Sequence, residues 1–136
     1  MTAAAKTDTR ALIVIDVQTG FCPGGNLAVP GGDEIVPGIN ALMAGFHHVI
    51  LTQDWHPAGH SSFPTGLEGL LRALNITDLT LVGLATDFCV NFSALDAARL
   101  GFDVAVREDL SRAIDLDGSL AAARTAMEKA GVALIS

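Results

Sequence analysis

Hydrophobic residues fall along this chain in short runs, and stretches with helical periodicity separate the runs. Five runs are nearly continuous in Val, Ile and Leu, as strands buried on both faces of a sheet are. Because helix-like stretches alternate with them, the pattern predicts an α/β fold with a doubly wound, mainly parallel sheet and helices on both faces. The predicted strands are Ala11–Ile15, Val49–Thr52, Leu79–Leu84, Val104–Val106 and Val132–Ile135.

Capping residues and glycines predict four helices between these strands. Thr65 and Glu68 form a capping box at the start of one helix. Ser119 is the expected N-cap of another, and Gly101 is placed to end a third. The predicted helices cover about residues 34–44, 65–74, 91–100 and 119–130.

The composition fits one domain over residues 1–136 and argues against several classes of partner. Half of the chain is hydrophobic and only 17% is charged, so disorder is not expected. The net charge of −7 opposes binding to nucleic acid or to an anionic membrane, because both need a basic face. No apolar run approaches the ~20 residues of a membrane span, and the amino terminus lacks a signal-like core. Two distant cysteines do not form a disulfide framework, so we expect a cytoplasmic protein. Its apolar residues would allow a homo-oligomer without locating an interface.

Polar residues follow three of the predicted strands, at the points where the strands end. Asp16 comes directly after the first strand, and Asp54, His56 and His60 follow the second. Cys89 lies just beyond the third, where a helix should begin. Because ligands bind outside the carboxyl ends of parallel strands, we expect these side chains to converge at one edge of the sheet.

Cys89 is the candidate nucleophile. A thiol at a helix N-terminus is favoured as the thiolate by the helix dipole and by nearby N–H groups. Those groups, with the N–H of Ala85, would stabilise the oxyanion that forms when a thiolate attacks a carbonyl. Asp16 either serves as a general base for the thiol or caps the next loop. The alternative for Cys89 is a small buried hydrophobic residue, whereas Cys22 fits a packing role better.

The loop after the second strand carries candidate metal ligands. Asp54, His56 and His60 combine a carboxylate with two imidazoles, a set that suits zinc, manganese or iron(II). In the alternative interpretation, His56 caps a turn and His60 lies in a solvated loop. Phe21 and Trp55 would face the same edge, where they either stack on a flat substrate or cover the core.

Three segments of the chain resemble the nicotinamidase (pyrazinamidase) branch of the isochorismatase-like cysteine hydrolases. They are IVIDVQTGFCPGGNLAVPGGDEIVP, LTQDWHPAGHSSF and LVGLATDFCVNFSALDAARLGFDVAVRED, in the order that the family has them. The resemblance implies a three-layer α/β sandwich and the hydrolysis of nicotinamide, and of pyrazinamide, to the acid and ammonia. Another amide substrate is a further possibility within the same enzyme class.

The resemblance also implies a mechanism. It places the nucleophile on Cys89, the acid/base aspartate on Asp16, and the oxyanion N–H groups on Ala85 and Cys89. It further implies a cis peptide bond at Leu84–Ala85. In this mechanism Asp16 takes the thiol proton, Cys89 attacks the amide carbon and ammonia leaves, and water then hydrolyses the thioester.

A divalent metal and a substrate-binding ring follow from the same resemblance. The family's metal ligands fall on Asp54 and His56, and His60 matches a histidine that ligates in some members. The metal holds the pyridine nitrogen, with zinc as the first choice and manganese or iron as alternatives. Phe21 matches an aromatic residue that stacks on the ring, and Leu84 and Ala85 line the substrate position.

One part of the family pattern has no counterpart in this chain. The family carries several tens of residues between about positions 63 and 65, with a metal-ligand histidine, a tryptophan, the catalytic lysine and an edge strand. The chain has only Lys6 and Lys129, and neither is expected at the strand ends. Either the natural protein contains the segment, or this is a shorter, non-catalytic member that binds a ligand or a partner. We favour the first explanation because the remaining motifs are intact.

Overall fold

The structure is a computed structural model, and it describes residues 9–15, 31–52 and 67–136. Within these residues five strands form one sheet with the order β2-β1-β3-β4-β5, and every neighbouring pair is parallel. This confirms the predicted parallel α/β architecture. The strands are β1 (Arg10–Ile15), β2 (His48–Thr52), β3 (Asp78–Leu84), β4 (Asp103–Arg112) and β5 (Ala133–Ile135).

All four predicted helices occur in the described residues. The expected cap of the last one is wrong: its N-cap is Gly118, with a φ of 83°, and Ser119 is the first helical residue. Among the helices described, none is long and apolar enough to cross a membrane. The helices are α1 (Val36–Met43, after a 3₁₀ turn at Gly32–Ile35), α2 (Leu67–Ala73), α3 (Asn91–Arg99, after a π-helical turn at Thr86–Val90) and α4 (Ser119–Lys129).

Two separate hydrophobic clusters make the fold a three-layer sandwich. Alternate residues of a strand point to opposite faces of a sheet, so β1 contributes to both clusters. Ile13 packs with α2, α3 and α4 on one face. Leu12 packs on the other face with Ile35 and Ile39, which belong to the 3₁₀ turn and α1. The apolar runs of the sequence are continuous because both faces of the sheet are covered.

The fourth strand is longer than its apolar run predicts, because it contains a bulge. Val106 pairs with Leu81, but the next residue that pairs with β3 is Ser111, opposite Gly83, so residues 107–110 leave the ladder with β3. On the other side of β4, Arg107 still pairs with Ile135 of β5. The bulge reaches both helical layers. Leu110 packs in the α1 layer. On the other side, Glu108 forms an ion pair with Arg124 of α4, with an O···N distance of 2.7 Å. Because the bulge contains charged residues, the hydrophobic pattern did not predict the second half of β4.

The strand order places a crevice at the ends of β1 and β3. The chain passes from β1 to β2 on one side and returns to β3 on the other, which makes this pair the topological switch point where ligands bind in such sheets. Ile15, the last residue of β1, pairs with Gly83 near the end of β3. Gly83 has a φ of 129°, and a Cβ there would lie 2.1 Å from the carbonyl oxygen of Ile15. Only glycine allows this approach.

Candidate active site

The chain changes direction directly after β3. The peptide bond between Leu84 and Ala85 is cis, as the resemblance implies for this position. Ala85 itself has an extended backbone, with a φ of −97° and a ψ of 149°. Both residues are buried at the carboxyl end of the strand next to β1. The site therefore begins where the topological switch point predicts it.

Cys89 lies in a π-helical turn that leads into α3. The carbonyl oxygen of Ala85 accepts hydrogen bonds from the N–H groups of Phe88 and Val90, both at 3.1 Å. The second of these bonds spans five residues and defines the π-helical turn. Cys89 is half-buried and packs against the core on the α3 side of the sheet. The sequence predicts the helix from Asn91, but the helical turn begins at Thr86. Cys89 is thus inside the first helical turn after the strand.

Asp87, a carboxylate in the same turn as Cys89, joins this turn to the connection between β4 and α4. Its side chain is buried, and its Oδ1 accepts a hydrogen bond from the N–H of Ile114 at 3.1 Å. Its Oδ2 accepts from the N–H of Asp115 at 2.7 Å and from the hydroxyl of Ser119 at 2.5 Å. The Ser119 hydroxyl in turn accepts from the N–H of Leu116 at 2.7 Å. The network joins segments about thirty residues apart.

The hydrogen bonds keep Asp87 ionised. Burial by itself raises the pKa of this carboxyl, but the hydrogen bonds from the Ser119 hydroxyl and from the N–H groups of Ile114 and Asp115 outweigh it. The pKa of Asp87 therefore lies below its usual value of 3.8. Sequence reasoning assigned no role to this residue. The available signal was an acid in an otherwise buried stretch, where a charge requires partners.

Most of the predicted site residues lie outside the described part of the chain. They are Asp16, Phe21, Asp54, His56 and His60. Ile15, which precedes Asp16 in the sequence, ends β1 opposite Gly83. Within residues 9–15, 31–52 and 67–136, no group of three His, Cys, Asp or Glu side chains is arranged to hold a metal. The predicted metal site therefore depends on residues beyond these ranges.

Two basic positions in the described residues lie away from this edge. Lys129 is exposed at the last residue of α4, just before the chain enters β5 at the amino edge of the sheet. His47 is exposed immediately before β2, at the same amino edge. Cys89 lies at the carboxyl edge, so neither side chain is placed to act on it.

Comparison with known proteins relates the chain to one family. The family model described as the isochorismatase domain matches residues 55–136. The nicotinamidase of Acinetobacter baylyi is 33% identical over 201 residues, an alignment that covers 96% of this chain and 94% of that enzyme. Since this chain has only 136 residues, at least 65 of the 201 aligned positions have no residue here.

Solved structures of the same family share this fold. A structure described as an Acinetobacter baumanii nicotinamidase/pyrazinamidase superimposes with a TM-score of 0.87 at 34% identity, covering 94% of this chain and 96% of that one. The pyrazinamidase of Pyrococcus horikoshii in complex with zinc gives a TM-score of 0.80 at 27% identity, covering 94% of this chain and 99% of that one. The comparisons therefore agree on both family and fold.

Proposed function

Because the chain belongs to the nicotinamidase branch of the isochorismatase family, we propose that it hydrolyses nicotinamide, and pyrazinamide, to the carboxylic acid and ammonia. The observation that carries the proposal is the position of Cys89. It lies in a helical turn directly after β3, the strand that pairs with β1 at the switch point of the sheet. A thiol in such a turn is placed to attack an amide carbonyl bound at this edge.

The proposed reaction is covalent. Asp16 accepts the proton of the Cys89 thiol, and the sulfur forms a bond to the amide carbon. The N–H groups of Ala85 and Cys89 stabilise the resulting oxyanion. The C–N bond then breaks as Asp16 returns the proton to nitrogen. Ammonia departs, and a thioester on Cys89 remains. Asp16 next takes a proton from water, the hydroxide adds to the thioester, and the acid leaves as the thiol is restored.

The remaining predicted residues orient the substrate. We assign the divalent metal to Asp54, His56 and His60, whose carboxylate and imidazoles suit zinc, with manganese or iron as alternatives. The zinc in the Pyrococcus horikoshii pyrazinamidase supports zinc as the first choice. When bound, the metal would act as a Lewis acid on the pyridine nitrogen and so hold the ring in place. Phe21 stacks on the ring, which is flat and matches an aromatic face.

The partners and the cellular location that we propose follow from the net charge and the cysteine content of the chain. The net charge of −7 opposes nucleic acid and anionic membranes as partners, which leaves the small-molecule substrate. Two cysteines far apart in the sequence favour the cytoplasm.

Ammonia release is the test of this function. The full chain is loaded separately with zinc, manganese and iron and assayed with nicotinamide, with ammonia measured by a coupled dehydrogenase and nicotinic acid by chromatography. We expect Cys89→Ala to lower kcat at least about 10³-fold, since it removes the nucleophile. Cys22→Ala is the matched control, because it makes the same chemical change at a position assigned to packing. An aliphatic amide assayed beside nicotinamide tests the substrate class.

The proposal fails if no metal-loaded form releases ammonia from nicotinamide and none of the metals binds. It also fails if Cys89→Ala retains the activity of Cys22→Ala. Faster hydrolysis of the aliphatic amide would keep the enzyme class and change the substrate.

A second candidate is a non-catalytic member that binds a ligand or partner with the same fold. It is favoured by the 65 or more aligned positions that have no residue here, and by the position of Lys129 at the opposite edge from Cys89. Nicotinamide that binds in calorimetry without being hydrolysed would support this candidate. Ammonia release that depends on Cys89 would exclude it.

A further inference from the structure

The buried carboxylate of Asp87 belongs to the same five-residue π-helical turn as Cys89. Both of its oxygens accept hydrogen bonds from the connection between β4 and α4, formed by residues 113–118, and from the first residue of α4. The connection itself is unusual: Asp115 and Asp117 have φ values of 55° and 53°, which non-glycine residues seldom adopt. The carboxylate thus joins the turn that holds the thiol to a strained segment.

We propose that Asp87 is a positioning residue for the Cys89 nucleophile. Its three hydrogen bonds hold the π-helical turn against the β4–α4 connection and so fix the position of the Cys89 sulfur at the edge of the sheet. The inference rests on the proposed function, which supplies the reaction that Cys89 performs. Misplacement of a reacting group by about 1 Å can cost ~10²-fold in rate. The loss of the Asp87 hydrogen bonds, two residues from the nucleophile, should therefore have a measurable effect on kcat.

A substitution at Asp87 would change Cys89 in two opposite ways, through charge and through position, so the two can be told apart by experiment. A carboxylate near a thiol disfavours the thiolate, so neutralising Asp87 would by charge alone make Cys89 more reactive. Loss of position instead lowers turnover while the thiolate stays available. In Asp87→Asn the amide directs an N–H toward a donor, because the N–H groups of Ile114 and Asp115 both point at this side chain.

The experiment compares Asp87→Asn with the wild-type chain by two readouts. The first is kcat and KM for nicotinamide. The second is the rate of Cys89 alkylation by iodoacetamide between pH 6 and 9, read on the Cys89 peptide by mass spectrometry so that Cys22 does not interfere. We expect kcat to fall about 10- to 100-fold, KM to stay within about threefold, and alkylation to be as fast as in the wild type or faster.

Three further variants separate positioning from general destabilisation. Asp109→Asn makes the same chemical change on an exposed carboxylate that accepts two hydrogen bonds from Arg107, and it should leave kcat unchanged. Val132→Ala weakens the core before β5 and should lower thermal stability but not kcat at a temperature where it is folded. Ser119→Ala removes one of the three hydrogen bonds and should give an intermediate loss of kcat.

An unchanged kcat in folded Asp87→Asn overturns the inference, and so does a loss that Val132→Ala reproduces. If the wild type releases no ammonia, the proposed function fails. Amide hydrogen exchange then tests separately whether Asp87 holds the π-helical turn against the β4–α4 connection. Faster exchange in residues 86–90 and at Ile114 and Asp115 in Asp87→Asn supports it. Unchanged exchange rejects it.

Discussion

A single methyl group at Gly83 should disrupt the centre of the sheet. Gly83 has a φ of 129°, and a Cβ at this position would lie 2.1 Å from the oxygen, 2.8 Å from the nitrogen and 2.9 Å from the carbon of Ile15. All three are backbone atoms of the paired strand β1, so no side chain can rotate to make room. Gly83→Ala must therefore separate β1 from β3 at the edge where Cys89 lies.

The expected cost is large relative to the stability of a domain of this size. A backbone conformation that L residues rarely adopt costs about 1–3 kcal/mol, and overpacking adds about 1–3 kcal/mol. A chain of 136 residues has a free energy of unfolding of roughly 7–20 kcal/mol at usual values per residue. We expect Gly83→Ala to lower it by about 2–6 kcal/mol and Tm by roughly 5–20 °C.

Gly69 is the matched control for this substitution. It lies in α2, and a Cβ there meets nothing within 4 Å. Gly69→Ala should raise the free energy of unfolding by about 0.5–1 kcal/mol, because alanine loses less backbone entropy in a helix. Both variants are measured by urea unfolding followed by far-UV circular dichroism. Gly83→Ala within about 1 kcal/mol of the wild type would refute the argument, as would the same sign for both variants.

Two further predictions concern the Asp87 network and the β4 bulge. The pKa of Asp87 is lower in the folded chain than in the unfolded one, so its stabilising effect is present above about pH 4 and is lost as the pH falls through the folded value. The difference in unfolding free energy between the wild type and Asp87→Asn should therefore be largest above pH 5 and shrink toward pH 3; a constant difference in urea titrations would contradict this. A Cβ at Gly38 would lie 2.5 Å from Cδ2 of Leu110, so Gly38→Ala should be nearly neutral alone and should stabilise a Leu110→Ala background by about 0.5–1 kcal/mol. Additive effects of the two substitutions in the double-mutant cycle would show that no contact couples them.

The fold was largely predictable because its signals are local. Strands buried on both faces have continuous apolar runs, and all five occur close to their predicted positions. The second half of β4 was missed because Arg107, Glu108 and Asp109 lie where the pairing with β3 is interrupted, so charged side chains are tolerated there. Such a register shift depends on the partner strand and leaves no periodicity in its own sequence.

The site was predictable only in part, for a similar reason. The end of β3 and the position of Cys89 follow from the hydrophobic pattern and the order of strands and helices. The role of Asp87 depends on donors 27–32 residues later in the chain, which spacing does not reveal. Ser119 was expected to cap α4 because of its type, but its hydroxyl donates to Asp87 instead. Both depend on tertiary contacts rather than on local sequence.

The bulge in β4 divides that strand into two halves with different phases. Before it, the strand pairs with the first half of β3 in one register, and beyond it Ser111 and Arg112 pair with Gly83 and Leu84 in another. An insertion or deletion among residues 107–110 would therefore shift the connection that holds Asp87 while the core pairing below stays in place. The bulge is a point at which evolution can adjust the reactive edge of the sheet independently of the packed interior.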